Sequence, residues 1–208
     1  SLKKLNLSNV KFTDTNTYSL LLTKCSKLEE LDISDSSITY VELPKSPVLK
    51  TYNLSGTTLT ELTLTNQAFL SDLKLDNCNY LKTITLINCN KLTTLNLPSN
   101  VETVIISNCA LLESLSLLYT STNNSISKLS KISIDGCPNL KSFDISGQNN
   151  PNLVVELVGA TNLERLILTG TSTSSIILPA LYEACVSKFT SLKYIDISGG
   201  SWYDKNRN

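Results

Sequence analysis

Apolar residues return in the pattern Leu-x-x-Leu-x-Leu about every 11 residues along nearly the whole chain. The first copies are Leu2-Leu5-Leu7, Leu28-Leu31-Ile33, Leu49-Tyr52-Leu54, Leu59-Leu62-Leu64, Leu70-Leu73-Leu75, Leu81-Ile84-Leu86 and Leu92-Leu95-Leu97. The series continues as Val101-Val104-Ile106, Leu112-Leu115-Leu117, Leu129-Ile132-Ile134, Leu140-Phe143-Ile145, Leu163-Leu166-Leu168 and Leu192-Ile195-Ile197. Weaker copies fall at Ile38-Val41-Leu43, Val155-Leu157 and Ile176-Leu178. Inside each copy apolar and polar residues alternate, as in Leu31-Asp32-Ile33 or Leu95-Asn96-Leu97. That is the period of a strand with one buried face. A single short strand cannot bury that face alone, so the copies are expected to stack into a solenoid around one continuous core.

One unit of about 11 residues is too short to close a turn, which takes roughly 20–29 residues in such coils. Two units per turn remove the conflict. The strands ending at Leu7, Ile33, Leu54, Leu75, Leu97, Leu117, Ile145, Leu168 and Ile197 follow one another at steps of 20 to 29 residues and define a first wall. Those ending at Leu43, Leu64, Leu86, Ile106, Ile134, Leu157 and Leu178 then fall on the opposite wall. The expected architecture is an α/β solenoid, predominantly β. It is a right-handed coil of about nine turns with a parallel sheet on one wall, short and less regular strands on the other, and helices only near the two ends. Tyr18, Leu21, Leu22 and Cys25 share a helical face behind a cap at Thr13 or Asp14, and Leu181, Ala184, Cys185, Lys188 and Phe189 repeat the spacing after Pro179. Residues 1–208 read as a single domain, with the polar stretch 119–128 as a loop insertion.

Composition narrows the function classes. Eighteen basic and eighteen acidic residues cancel, without a like-charge block. That argues against nucleic acid as a partner, which calls for a basic face. No apolar run approaches the roughly 18 residues of a membrane-spanning helix, so no membrane insertion is expected of this segment. The chain begins with Ser1, contains no Met and opens inside a repeat; it is expected to be a piece of a longer protein. Six cysteines would suggest disulfides by count alone, but Cys25, Cys78, Cys89, Cys109 and Cys137 each stand three residues before the leading Leu of a copy. Such regular placement points to a structural slot.

Catalytic chemistry has little to work with. The chain has no histidine, which removes the commonest general base and metal ligand. No phosphate-cradling Gly-rich loop and no Gly-x-Ser-x-Gly elbow occur, and nothing supplies a base to the many hydroxyls. No Cys-x-x-Cys pair is present for zinc. The reading is a non-enzyme without cofactor or metal. The best functional clue is the outward face of the first wall. One column there runs Asn6, Asp32, Asn53, Lys74, Asn96, Ser116, Asp144, Ile167, Asp196, and its neighbour Lys4, Glu30, Thr51, Asp72, Thr94, Ser114, Ser142, Arg165, Tyr194. Asp32, Asn53, Lys74, Asn96, Asp144, Arg165, Ile167, Tyr194 and Asp196 are the candidate binding residues. Arg165, Ile167 and Tyr194 are the only ones of the anchoring kind that tight interfaces favour. The competing reading is an ordinary solvated sheet face. Trp202, the only Trp, is either a ligand platform or the cap of the last coil.

Leu70-Ser-Asp-Leu-Lys-Leu-Asp-Asn-Cys78 and Leu81-Lys-Thr-Ile-Thr-Leu-Ile-Asn-Cys89 resemble the leucine-rich repeat consensus L-x-x-L-x-L-x-x-N/C. The resemblance covers essentially the whole chain. Residues 13–34 look like cysteine-containing repeats, and the double-register middle is similar to bacterial and phage repeats of the internalin sort. In that superfamily the ninth position is an inward turn slot, which implies reduced, buried thiols; disulfide or metal binding is the alternative. The resemblance further implies a non-catalytic module of a larger surface or secreted protein that binds a protein or a glycan. A structural, decoration or receptor-binding part of a phage virion or tail is the rival class, and an intracellular adaptor a third. Fold-level analogy of this kind carries no site.

Overall fold

The alternation of apolar and polar residues becomes short parallel strands in a computed structural model that describes residues 2–12, 18–44, 48–119, 125–173, 175–177, 194–196 and 201–202, from 172 onward by backbone alone. In chain order these are β1 (Lys4–Asn6), β2 (Ser19–Leu21), β3 (Glu30–Asp32), β4 (Tyr40–Glu42), β5 (Thr51–Asn53), β6 (Glu61–Thr65), β7 (Asp72–Lys74), β8 (Thr83–Ile87) and β9 (Thr94–Asn96). They continue as β10 (Thr103–Ser107), β11 (Ser114–Ser116), β12 (Lys131–Asp135), β13 (Ser142–Asp144), β14 (Val154–Val158) and β15 (Arg165–Ile167). The series closes with β16 (Ser172–Thr173), β17 (Ser175–Ile177), β18 (Tyr194–Asp196) and β19 (Ser201–Trp202).

Strands up to β15 pair with the next but one in sequence, and β14, β15 and β16 pair with β17, β18 and β19, so each turn of the coil up to β15 uses two units. The first wall holds the sheets β1-β3-β5-β7 and β9-β11-β13-β15-β18, and the second wall holds β2-β4 and β6-β8-β10-β12-β14-β17. β16 and β19 form a small pair of their own. The result is a predominantly β, parallel solenoid of about seven turns. Between the walls lies one core, with Leu31, Ile33, Leu54, Ile84, Leu86, Leu115, Ile132, Phe143 and Leu157 all at most 1% exposed.

A left-handed residue shapes most of the corners. On the first wall it stands three positions beyond a strand, at Asn9, Asp35, Gly56, Asn77, Gly147 and Gly170. On the second wall it follows the strand directly, at Asn66, Asn88, Asn108, Gly136 and Gly159. Asn and Asp are the side-chain-bearing residues that tolerate this conformation best, and the Asn88 amide donates to Asn66 Oδ1 at 2.7 Å, tying two corners together. The next residue turns into the core: Ser36, Thr57, Cys78, Gln148 and Thr171 on the first wall, Gln67, Cys89, Cys109, Cys137 and Ala160 on the second. At several of them the polar atom satisfies a carbonyl of the preceding turn, as with Thr171 Oγ1 to Ile145 O at 3.0 Å and Cys78 Sγ to Leu54 O at 3.1 Å.

The cysteines therefore occupy a packing slot. All five described thiols are free; Cys25 is half-buried and the other four are buried. Cys89, Cys109 and Cys137 stack on successive turns and hydrogen-bond to one another. The Cys109 bond, and then burial, raise the pKa of Cys137. Cys109 is pushed up to about 11: its bond with Cys137 lowers it, but the bond with Cys89 and burial outweigh that. Burial also pushes Cys78 up. Thiolates are what alkylating reagents attack, so brief iodoacetamide treatment of the native chain is expected to modify Cys25 well before Cys78, Cys109 and Cys137. Peptide mass mapping checks this order, and equal modification would contradict the burial.

Two expectations need correction. Helices were expected near both ends, yet no described residue is helical. Ser19–Leu21 is a strand paired with β4. Leu20 and Leu22 face the core while Leu21 is 63% exposed, which is period 2. Apolar positions 20 and 22 fit a strand as well as positions 18, 21, 22 and 25 fit a helix, and a neighbouring edge on the second wall decides between them. The expected cap at Thr13 or Asp14, and the helix at 181–189 with Cys185, lie outside the described residues. The second wall was expected to be the less regular one with short strands. Instead β6, β8, β10, β12 and β14 run five residues each against three on the first wall, consistent with their outward β-branched residues, exposed Thr63 and Thr65 and half-buried Thr85. Of the stretch 119–128, residues 120–124 are outside the description. Its far end is tied down by Asn149, whose Oδ1 accepts from Ser127 N at 2.7 Å and whose Nδ2 donates to Ser125 O at 3.0 Å.

Candidate functional site

The outward face of the first wall is built by strand register. Asn6, Asp32, Asn53 and Lys74 occupy equivalent positions on β1, β3, β5 and β7, with Lys4, Glu30, Thr51 and Asp72 beside them. Asn96, Ser116, Asp144, Ile167 and Asp196 form the corresponding column on β9, β11, β13, β15 and β18, with Thr94, Ser114, Ser142, Arg165 and Tyr194 as its neighbour. The two halves are not joined: β7 and β9 do not pair, so the column breaks between Lys74 and Asn96. Arg165 and Ile167 share a strand and sit one rung from Tyr194 and Asp196.

Several of these polar groups hold their own turn in place. Asp32 Oδ1 accepts from Ser34 N at 2.9 Å and Oγ at 2.6 Å. Asn6 does the same for Ser8 at 2.8 and 2.7 Å. Asn53 accepts from Ser55 N at 3.1 Å, and Asp144 accepts from both N and Oγ of Ser146. These are Asx turns that carry the chain out of the strand toward the left-handed corner. Burial opposes ionisation of Asp32, but the hydrogen bonds from Ser34 and Asn53 and the charge of Lys74 outweigh it and hold its pKa below the ordinary value. The same bonds account for Asn6-Leu-Ser8 and Asn53-Leu-Ser55, which also match glycosylation acceptors.

Charges on this wall pair across rungs and, on β7, along one strand. Glu29 meets Lys3 at 3.1 Å and Lys50 at 2.6 Å, Glu30 meets Lys4 at 2.7 Å, and Asp72 meets Lys74 at 3.8 Å. Hydrogen bonds from Lys50 and then Lys3 lower the Glu29 carboxyl to about 2. Pairs this exposed contribute little to stability; their effect is to leave the face locally neutral. Between β1 and β7 the outer face forms a shallow cleft of about 390 Å³, lined by Lys4, Asn6, Glu30, Asp32, Thr51, Asn53, Asp72 and Lys74.

A second opening was not legible in the columns. It lies on the other wall, between β4 and β6, with Glu42, Glu61 and Gln67 among its lining residues. The one sequence signal was Gln67, a long polar side chain in an inward slot that Cys89, Cys109, Cys137 and Ala160 fill with small ones elsewhere on this wall.

Among the described residues no cluster of three or more His, Cys, Asp or Glu is arranged to hold a metal ion, and no helix is long and apolar enough to cross a membrane. The geometry defines a parallel β solenoid with two strand-bearing walls. No family model and no curated protein matches the chain.

Proposed function

We propose that the chain is a right-handed leucine-rich repeat coil of about nine turns and serves as a non-catalytic recognition module, taking a protein or glycan partner on the first wall as part of a larger surface or secreted protein. The observation that supports this most is the aligned outward polar columns. Asp32, Asn53 and Asp144 are held in fixed rotamers by their Asx bonds, so a partner meets groups whose side-chain freedom is already spent. Preorganisation of this kind lowers the ordering penalty of association. Lys74, Asn96 and Arg165 offer donors along the same face, and Ile167 with Tyr194 supplies the apolar and aromatic character that interfaces concentrate at their centre.

The test places a photo-crosslinking side chain at position 96 on the first wall, or at position 105 on the exposed outer face of the second, in the full-length native protein. The reading expects covalent partner adducts from position 96, few from 105, and loss of the former with Lys74→Glu and Arg165→Glu together. Adducts of equal yield from both walls, or none from position 96, would overturn it.

A further inference from the structure

On the second wall the sheet stops between β4 and β6. β4 pairs with β2 and β6 with β8, and the two are not hydrogen-bonded to each other. Unlike the paired neighbours, which stand about 4.8 Å apart, β4 and β6 make no broad backbone contact. The opening is a cleft of about 410 Å³. Each bank presents a strand edge, whose unpaired N–H and C=O groups are a template for another strand.

The side chains on the banks alternate. On β6, Leu62 and Leu64 face the core, and Glu61, Thr63 and Thr65 face outward. On β4, Val41 is half-buried between exposed Tyr40 and Glu42. Gln67 also lines the cleft. It is only 4% exposed, its Nε2 donates to Thr65 O at 3.2 Å, and its buried Oε1 has no hydrogen-bond partner among the described residues. A buried amide oxygen without a donor is uncommon and unfavourable, so this atom marks a place where a donor is wanted. Neither Glu42 nor Glu61 has an ion-pair partner among the described residues, unlike the neutralised carboxylates of the first wall.

We propose that this cleft takes up an extended segment of a partner protein as an added strand between β4 and β6, and that it selects a segment of alternating apolar and basic residues. The segment's backbone pairs with the two open edges. Its apolar side chains continue the layer of Val41, Leu62 and Leu64, and a donor from the segment reaches Gln67 Oε1. Its outward Lys or Arg side chains sit between Glu42 and Glu61, with the Tyr40 ring as a further cation-binding surface. The cleft lies on the wall opposite the proposed recognition face, so the two readings fail separately.

Fluorescence polarisation of a labelled pentapeptide of alternating lysine and valine, titrated with the intact chain, tests this. Saturable binding is expected, weakened about tenfold or more by Glu42→Lys with Glu61→Lys and abolished when alternate peptide nitrogens are methylated. Hydrogen exchange should slow at the amides of 61–65, and Lys74→Glu should leave the affinity unchanged. Circular dichroism of the double variant confirms the fold, since both substituted residues are exposed. Absence of saturable binding, equal binding of the glutamate–valine peptide, tolerance of backbone methylation, or protection elsewhere on the chain would overturn the proposal. So would a dimer in sedimentation whose second copy fills the cleft.

Discussion

Gly147→Ala is expected to destabilise the coil by roughly 2–5 kcal/mol, the sum of a left-handed non-glycine residue and an overpacked contact. Gly147 has φ +78°, and a Cβ built on it would stand 2.0 Å from the Tyr119 carbonyl oxygen. That oxygen belongs to backbone, so no side chain can swing aside. Tyr119 occupies the matching corner one turn earlier and donates its N–H to Ser146 O at 3.0 Å, which fixes the approach of the two turns. Gly170 provides the control. It has φ +66°, but a Cβ there would meet nothing closer than 3.8 Å. Gly170→Ala should therefore lose only the conformational part, about 1–2 kcal/mol. Urea denaturation of both variants separates the contributions, and equal losses would mean that the Tyr119 contact is relieved by a small shift of the coil.

Leu95→Ala is expected to destabilise the chain by about 2–5 kcal/mol, while Asn96→Ala stays within roughly 0.5 kcal/mol of the parent. Leu95 is 2% exposed and sits between Leu115 on the neighbouring rung and the opposite wall. Asn96 is the adjacent residue on the same strand and faces solvent. A one-residue slip in register would exchange the two roles, so similar melting temperatures for the two variants would contradict the placement of the whole first wall.

Why the register was readable, and other features were not, follows from what each depends on. Inward positions such as Leu31, Leu95 and Ile132 are fixed by period 2 and by the two-units-per-turn spacing, both properties of the chain itself. The columns from Asn6 to Lys74 and from Asn96 to Asp196 come from the same arithmetic. The recurring Asn6-Leu-Ser8, Asp32-Ile-Ser34, Asn53-Leu-Ser55 and Asp144-Ile-Ser146 already spelled out Asx turns. Leu20 to Leu22 was ambiguous because a short apolar cluster satisfies two periods at once; only the edge of β4 settles it. The greater regularity of the second wall depends on how many rungs align in space, as does the missing pairing between β7 and β9. The cleft beside β4 depends on a strand that is absent, and one sequence position, Gln67, hinted at it.

Backbone nuclear Overhauser effects between strands test the two-units-per-turn coil most directly. Thr85 should show interstrand backbone contacts to Thr63 and Ile105, and Ile105 to Ser133, as the parallel register requires. Contacts that instead join neighbouring units, such as Thr63 to Leu73 or Leu95 to Ile105, would place successive strands side by side, dissolve both walls, and remove the face and the cleft on which the functional readings rest.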